Sequence, residues 1–506
     1  MHALYTVAQL RAIEQAAAAT LPPGALMQRA GHAAANLVLT MLAGQLDRSV
    51  LLLAGPGNNG GDALETAANL AHPSAGIDVA VIHLPASGPV SIETAQALAR
   101  AQASGARFLE RLPTSAPGLV IDGLFGIGLA RALDGAARAY VEALNALAWP
   151  VPTLALDVPS GLDADTGAIV GPGGVALRAS ITLTFIGDKP GLHTCDGRDY
   201  AGAVQLDTLA IEPQHYPSAD AELNAPGLFA QQLRPRANNV HKGSFGDVGI
   251  VGGAYGMAGA AMLAARGALF CGAGRVLVAS LDPGPMFDSV QPEIMFRDAA
   301  TYPLGAGTLV LGPGMGSSLR ASQLLSKALN GDAALVLDAD ALNLIAGSTA
   351  LQARLSARAG PTLLTPHPLE AARLLGVASF DVQHVQHDRL ACARQIARRF
   401  GAMVVLKGTG SIIVGPDGHA VVNPSGNPGL ATAGSGDVLA GICASQLAQG
   451  WALREAALGA VWIHGAAADL LVRQGIGPIG LCAGELPAAA RAVLNTLVAS
   501  AATRRA

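Results

Sequence analysis

Twelve apolar runs of four to six residues punctuate this chain, and longer alanine-rich stretches separate them. Runs that short cannot be core helices, and their lack of strict polar alternation means that both faces are to be buried. A strand buried on both faces belongs in a parallel sheet with helices on either side. The pattern therefore predicts an α/β chain. In the first half the expected strands are Val50–Ala54, Asp78–His83, Leu119–Asp122, Thr153–Asp157 and Ile181–Phe185. In the second half they are Val248–Val251, Arg275–Ala279, Thr308–Leu311, Ala334–Asp338, Thr362–Thr365, Ala402–Leu406 and Ser411–Val414.

At 506 residues the chain exceeds what one hydrophobic core supports. Between 211 and 240 the apolar rhythm lapses, and Pro213, Pro217, Pro226 and Pro235 fall among polar residues. This is the expected break, with a domain over 1–213, a linker over 214–227 and a second domain over 228–506. Hydrophobic residues make up 51% and charged residues 13%, and the net charge is -4 with no basic run, so nucleic acid is not an expected partner. Five cysteines without a C-x-x-C spacing argue against a disulfide framework or a zinc site. Arg11 and Glu14 interrupt the N-terminus, which excludes a signal peptide on this reading. No window has both the length and the freedom from charge and Gly/Pro breaks of a membrane span. A cytoplasmic location is expected.

Ligands of parallel sheets bind beyond the carboxyl ends of the strands, and there the polar motifs lie. Gly55-Pro56-Gly57-Asn58-Asn59-Gly60-Gly61-Asp62 leads into a helix around Ala63–Ala71. It lacks the Lys-Ser/Thr of a P-loop and the usual dinucleotide Gly-x-Gly-x-x-Gly, and reads as a loop for phosphate or another polar ligand. Asp122-Gly123-Leu124-Phe125-Gly126-Ile127-Gly128-Leu129 and Asp157-Val158-Pro159-Ser160-Gly161-Leu162-Asp163 follow two further strands. Each Asp taken alone reads as a helix cap or turn residue. Three polar clusters on one sheet edge read as a site, and their oxygens suit a hard cation.

In the second half Gly434-Ser435-Gly436-Asp437 precedes an apolar helical run, Val438–Ile442. The glycines let the backbone approach an anion, and the helix N-terminus favours phosphate. Upstream lie Gly252-Gly253-Ala254-Tyr255-Gly256-Met257-Ala258-Gly259-Ala260, Gly312-Pro313-Gly314-Met315-Gly316, Asp338-Ala339-Asp340, Thr365-Pro366-His367-Pro368-Leu369-Glu370 and Leu406-Lys407-Gly408-Thr409-Gly410-Ser411. His367 is stiffened between two prolines, and Lys407 is placed to reach a phosphate or, on the plainer reading, to snorkel at the surface.

The three N-terminal motifs, with Thr182-Leu183-Thr184-Phe185-Ile186-Gly187-Asp188-Lys189-Pro190-Gly191-Leu192, resemble the epimerase domain of the NAD(P)H-hydrate repair enzymes over about residues 5–211. The resemblance implies a Rossmann-like domain that interconverts the R and S forms of hydrated NADH and NADPH. It implies a potassium ion on Asn59, Asp122 and Ser160. It implies substrate contacts at Asn58, Asn59, Gly60, Gly61 and Asp62, at Gly126, Ile127, Gly128, Leu129, Ala130, Arg131 and Ala132, and at Asp157. Asp157 is the candidate acid and base, because loss and return of the ring hydroxyl each need a proton moved. Ala63 departs from the usual Gly of the family.

The second-half motifs, with His241-Lys242-Gly243-Ser244-Phe245-Gly246, resemble the dehydratase domain of the same enzymes over about residues 228–495, itself similar to the ribokinase superfamily. This implies a ribokinase-like three-layer α/β domain. It implies hydrate contacts at Ala258, Gly259, Ala260, Gly314, Gly316, His367 and Asp437. It implies nucleotide contacts at Lys407, Gly408, Thr409, Gly410, Ser411 and Gly436. Leu369 departs from the usual Gly. The implied reaction transfers a phosphoryl group of ADP to the ring hydroxyl, with Asp437 as the base and Mg²⁺ as a clamp, and elimination then restores the nicotinamide. A homo-oligomer is expected, although no stripe of the alanine-rich helices is distinct enough to name as its interface. A small-molecule kinase with a fused ligand-binding domain, or an epimerase-like half that only binds, are the alternatives.

Overall fold

The computed structural model describes residues 2–86, 88–147, 151–284, 287–377 and 381–503. Two compact units divide between Glu222 and Leu223. The strands, in chain order, are β1 (Ala3–Leu4), β2 (Ser49–Ala54), β3 (Asp78–His83), β4 (Arg107–Phe108), β5 (Leu119–Gly123), β6 (Thr153–Leu156), β7 (Ile181–Phe185), β8 (Ala203–Asp207), β9 (Ala221–Leu223), β10 (Asp247–Gly252), β11 (Arg275–Ser280), β12 (Met295–Asp298), β13 (Thr308–Leu311), β14 (Ala334–Leu337), β15 (Thr362–Leu364), β16 (Met403–Leu406), β17 (Ile412–Val414) and β18 (Ala420–Val422).

In the first unit the sheet order is β4-β3-β2-β5-β6-β7-β8, and every pairing is parallel. Alternate residues of β2 serve opposite faces. Val50, Leu52 and Ala54 pack with the helices Ala25–Met41 and Asn58–Leu70, while Leu51 and Leu53 pack with Leu124, Leu133 and Val141. Each Leu removed from water in this way contributes roughly 1.5–3 kcal/mol. From β2 the chain steps outward to β3 and β4, then returns to start β5 on the other side of β2 and proceeds to β8. The order therefore reverses between β2 and β5, and at such a reversal the loops after the two strands diverge and leave a crevice.

The second unit repeats the logic. Its sheet runs β18-β17-β16-β15-β14-β13-β10-β11-β12, parallel from β12 to β16 and antiparallel from β16 to β18. The antiparallel end departs from the wholly parallel sheet expected, because the turn Lys407–Ser411 folds the chain straight back. The order reverses between β10 and β13. On one face the helices Ala258–Phe270 and Ser435–Ala448 pack almost backbone to backbone. A methyl at Gly441 would lie 1.9 Å from the Ala264 carbonyl oxygen, so only glycine permits that approach. Their alanines are the consequence: small side chains let two helices share one patch of sheet.

The stretch 214–227, read as linker, holds regular structure on each side of the division. Ala221 and Glu222 pair antiparallel with Leu4 and Ala3 in the first unit. In the second, Asn224 donates to the Asn423 side chain and the Leu458 carbonyl, both at 2.9 Å. Among the described residues one helix, Leu453–Arg473, has the length and apolar character of a membrane span. Its apolar window is 67% buried within the protein, which makes it a core helix.

Two candidate active sites

A cavity of about 370 Å³ opens in the first unit at the β2/β5 reversal. The helix expected to begin near Ala63 begins at Asn58, so Asn58–Asp62 form its first turns. Asn58, Asn59 and Asp62 line the cavity, together with Gly126, Ile127, Gly128 and Leu129 after β5 and Asp157 after β6. Gly60 and Gly61 lie beneath it as buried packing positions. Ala130 and Arg131 are exposed further along the turn, and Ala132 is half-buried. The methyl of Ala63 faces Gly123 in the core and not the cavity.

Asp122 and Ser160 are fully buried below the cavity floor. The Ser160 N–H and hydroxyl donate to Asp122 Oδ2 and Oδ1 at 2.8 and 2.6 Å, and the Leu124 N–H donates to Oδ1 at 3.1 Å. Burial pushes the Asp122 carboxyl up, and these hydrogen bonds oppose the shift. Beside them Asn59 has a buried carboxamide with neither Oδ1 nor Nδ2 partnered. An orphaned carboxamide is costly unless something occupies it. Its oxygen, with the Ser160 hydroxyl, the Asp122 carboxylate and nearby backbone carbonyls, fits a large monovalent cation.

Asp157 has φ +67°, a conformation rare for a residue with a side chain, and it holds the carboxylate toward the cavity. A methyl at Gly126 would lie 2.9 Å from Asp157 Oδ2 and 3.3 Å from Asn59 Cγ, so the three are close neighbours. Lys189, which is 1% exposed, pairs with Asp157 Oδ1 at 2.8 Å. Its ammonium also donates to Thr184 Oγ1 at 2.6 Å and to the Phe185 and Gly187 carbonyls at 3.0 Å. Burial, then Asp157, Glu14 and Glu65, push the Asp62 carboxyl well up. The cavity thus brings a carboxylate paired with a lysine together with a carboxyl whose pKa burial and its acidic neighbours raise. Sequence reasoning missed Lys189, Arg11 and Glu14 as site residues. Lys189 lies four residues beyond the end of β7, a position that could have signalled it, whereas the helix Val7–Ala18, which carries Arg11 and Glu14, gave no such sign.

In the second unit six motifs converge on the carboxyl edge of the sheet. Lys407 Nζ pairs with Asp338 Oδ1 at 2.6 Å and lies 3.9 Å from Glu370 Oε2. A methyl at Gly436 would lie 3.1 Å from the same ammonium, which places the Gly434–Asp437 turn beside Lys407. Burial pulls the ammonium down, but Asp338, Glu370 and Asp437 outweigh it and hold the Lys407 pKa above its usual value. Asp437 lies in the first turn of Ser435–Ala448, and burial, then Asp338, push its carboxyl up to about 7 against the pull of Lys407. Such a value suits a proton acceptor working near neutral pH.

His367 caps the helix Pro368–Leu375. Its Nδ1 accepts the N–H groups of Leu369 and Glu370 at 3.2 and 3.3 Å, so the ring proton resides on Nε2, 3.2 Å from Glu370 Oε1. Burial and Lys407 hold the imidazole pKa down at about 4. Leu369, where the family usually has Gly, supplies one of these N–H donors. Burial raises Glu370 to about 7. The loop after β13 carries Gly314 and Gly316 with positive φ, and the Gly316 N–H donates to Asp340 Oδ2 at 2.8 Å. Ala258, Gly259 and Ala260 open the adjacent helix, and the Ala254 N–H donates to the Gly314 carbonyl at 2.7 Å. Gly408, Thr409, Gly410 and Ser411 form the turn after Lys407, in which Ser411 Oγ donates to the Gly408 carbonyl at 3.1 Å. The sequence assigned no role to Asp338, Asp340, Glu370 or His464, although the first three stand in motifs it singled out. His464 is buried on Leu453–Arg473, meets the Ser435 backbone, and keeps an unpartnered Nε2.

The NAD(P)H-hydrate dehydratase family model matches residues 248–480, and that of the YjeF-related protein N-terminus matches 23–191. The bifunctional NAD(P)H-hydrate repair enzyme Nnr of Coxiella burnetii is 36% identical over 511 residues, covering 98% of this chain and 100% of that protein. The Nnr enzyme of Escherichia coli is 36% identical over 485 residues, covering 93% and 89%. Among solved structures, the ADP/ATP-dependent NAD(P)H-hydrate dehydratase of Bacillus subtilis crystallised with ATP and Mg²⁺ is 31% identical, with a TM-score of 0.49, covering 54% of this chain and 97% of that one.

Proposed function

Because the chain belongs to the bifunctional NAD(P)H-hydrate repair enzymes, we propose that its two sites divide one repair between them. The first unit interconverts the R and S forms of hydrated NADH and NADPH. The second unit dehydrates the S form with ADP. The observation that carries this reading is the second cluster. A carboxyl near neutral pKa, a half-buried lysine and a neutral histidine meet at a helix N-terminus, the arrangement that phosphoryl transfer to a hydroxyl needs.

On this reading Asp437 takes the proton of the ring hydroxyl as that oxygen attacks the terminal phosphorus of ADP. AMP leaves. The new phosphate ester then departs as inorganic phosphate while the neighbouring ring carbon loses a proton, and the ring double bond returns. Lys407 and the N–H groups of Gly408–Ser411 and Gly436 receive the nucleotide phosphates. Ala258–Ala260, Gly314, Gly316 and His367 receive the hydrate. Mg²⁺ brought in with the nucleotide would neutralise charge on the transferring group. In the first unit Asp157 serves as acid and base, the cavity loops at Asn58–Asp62 and Gly126–Ala132 hold the hydrate, and Asn59, Asp122 and Ser160 hold potassium, which would fix that floor. The partners are small molecules in the cytoplasm, neither nucleic acid nor membrane, and the chain assembles with copies of itself. Incubation of the pure S hydrate of NADH with and without ADP tests the reading. NADH absorbance should return only with ADP, with AMP and phosphate formed in equal amounts. A stable phosphorylated product would instead mark a kinase.

A further inference from the structure

Arg389 is a large side chain with only 1% exposure, and it opens the helix Arg389–Phe400. A guanidinium is rarely buried so completely without a task. Its Nη2 donates to the Leu406 carbonyl at 3.3 Å and to the Lys407 carbonyl at 3.1 Å, and its Nη1 donates to Gln386 Oε1 at 2.8 Å. Those two carbonyls belong to consecutive residues at the end of β16. They turn to one side because the next residue, Gly408, has φ +128°, and Gly410 follows at φ +62°. A methyl at Gly408 would lie 2.9 Å from Nη1, so the guanidinium packs directly under the turn.

We propose that Arg389 is a positioning residue for the nucleotide. It clamps the back of the Lys407–Ser411 turn and so keeps that turn's N–H groups, and the root of Lys407, in the arrangement that accepts a nucleoside diphosphate. The fork geometry of arginine matters here. One planar group can satisfy two adjacent carbonyls and a carboxamide together, which a lysine ammonium on a flexible stem does not reproduce. The proposal rests on the reading that this turn meets ADP, and it predicts a specific imbalance. Loss of the clamp costs nucleotide affinity and leaves the hydrate side alone, because His367 and the Gly312–Gly316 loop stand on other strands.

The test uses the full chain with Arg389→Lys, and with Gln386→Leu as a milder variant that only loosens the guanidinium. ADP dissociation constants are measured by calorimetry, and kcat and both KM values by NADH recovery. Arg389→Lys should weaken ADP binding about tenfold and Gln386→Leu about threefold. KM for the S hydrate, kcat at saturating ADP and epimerisation should stay within twofold of wild type. If both variants lower only the melting temperature and bind ADP as wild type does, or if kcat and both KM values change together, the clamp is merely structural and the proposal fails. Should Arg389→Lys not fold, Gln386→Leu alone decides by the same criteria. Failure of wild type to bind ADP would instead overturn the functional reading.

Discussion

Replacing Asp437 by Asn separates catalysis from binding and also carries a stability signature. The carboxyl titrates at about 7 in the folded chain, against an ordinary 3.8. Its raised pKa means that ionisation opposes folding. The native state is spared this penalty below pH 3.8, incurs it progressively as pH rises toward 7, and carries all of it above. At about 1.4 kcal/mol per pH unit, that gap is worth up to about 4 kcal/mol, on the order of a few kcal/mol after relaxation. Asn has the same shape and no charge. The variant should therefore be more stable than wild type at pH 8, and its advantage should shrink toward pH 5. Activity should move the other way. Loss of a positioned base costs roughly 10²–10⁴ in kcat, or about 3–5 kcal/mol of barrier, while ADP affinity stays within a few-fold. The wild-type kcat/KM for the S hydrate should fall tenfold per unit below an apparent pKa near 7, the value of the Asp437 carboxyl in the free chain. Melting curves between pH 5 and 8, with kcat and kcat/KM by NADH absorbance over the same range, provide the assay. A variant that keeps turnover within threefold, or a wild-type profile flat from pH 5.5 to 8, would refute the assignment of the base.

In the first unit, Asp122→Ala should slow R-to-S exchange in a way that added potassium partly restores, whereas Asp157→Asn should slow it irrespective of potassium. Dehydration of pure S substrate should be unchanged in both, and an R form cleared at the wild-type rate would count against both roles. Residues 1–222 and 223–506 made separately should each fold and keep one activity; an insoluble or inert 223–506 piece, assayed on the S hydrate, would contradict that. Gly441→Ala drives a methyl into the Ala264 carbonyl, and should lower stability of the second unit by about 3 kcal/mol or more in urea. An unchanged urea midpoint would show that the two helices part freely.

Much of this was legible because each strand announces itself. Val50–Ala54 and Thr308–Leu311 are apolar on both faces, and the glycines and acids that follow them mark where the chain turns toward a ligand. The strands left unread lie where that signature fails. β8 is an edge strand with exposed Ala203, Gln205 and Leu206, and β18 is only three residues long. The resemblance supplied the roles at the sites, but the partners that tune them came from tertiary packing. No local pattern says that Lys189 reaches back to Asp157, or that Arg389 lies beneath Gly408. These contacts span 32 and 19 positions of chain respectively, and only the fold closes such distances.

The central claim is that one chain performs both steps, and the yield of NADH from a mixed substrate tests it most directly. A mixture of R and S hydrates of NADH, given the full chain with excess ADP and Mg²⁺, should be recovered completely in a single rapid phase. Recovery that halts at the S fraction and then creeps at the spontaneous rate would contradict the account of the first unit, and recovery that ignores ADP would contradict the account of the second.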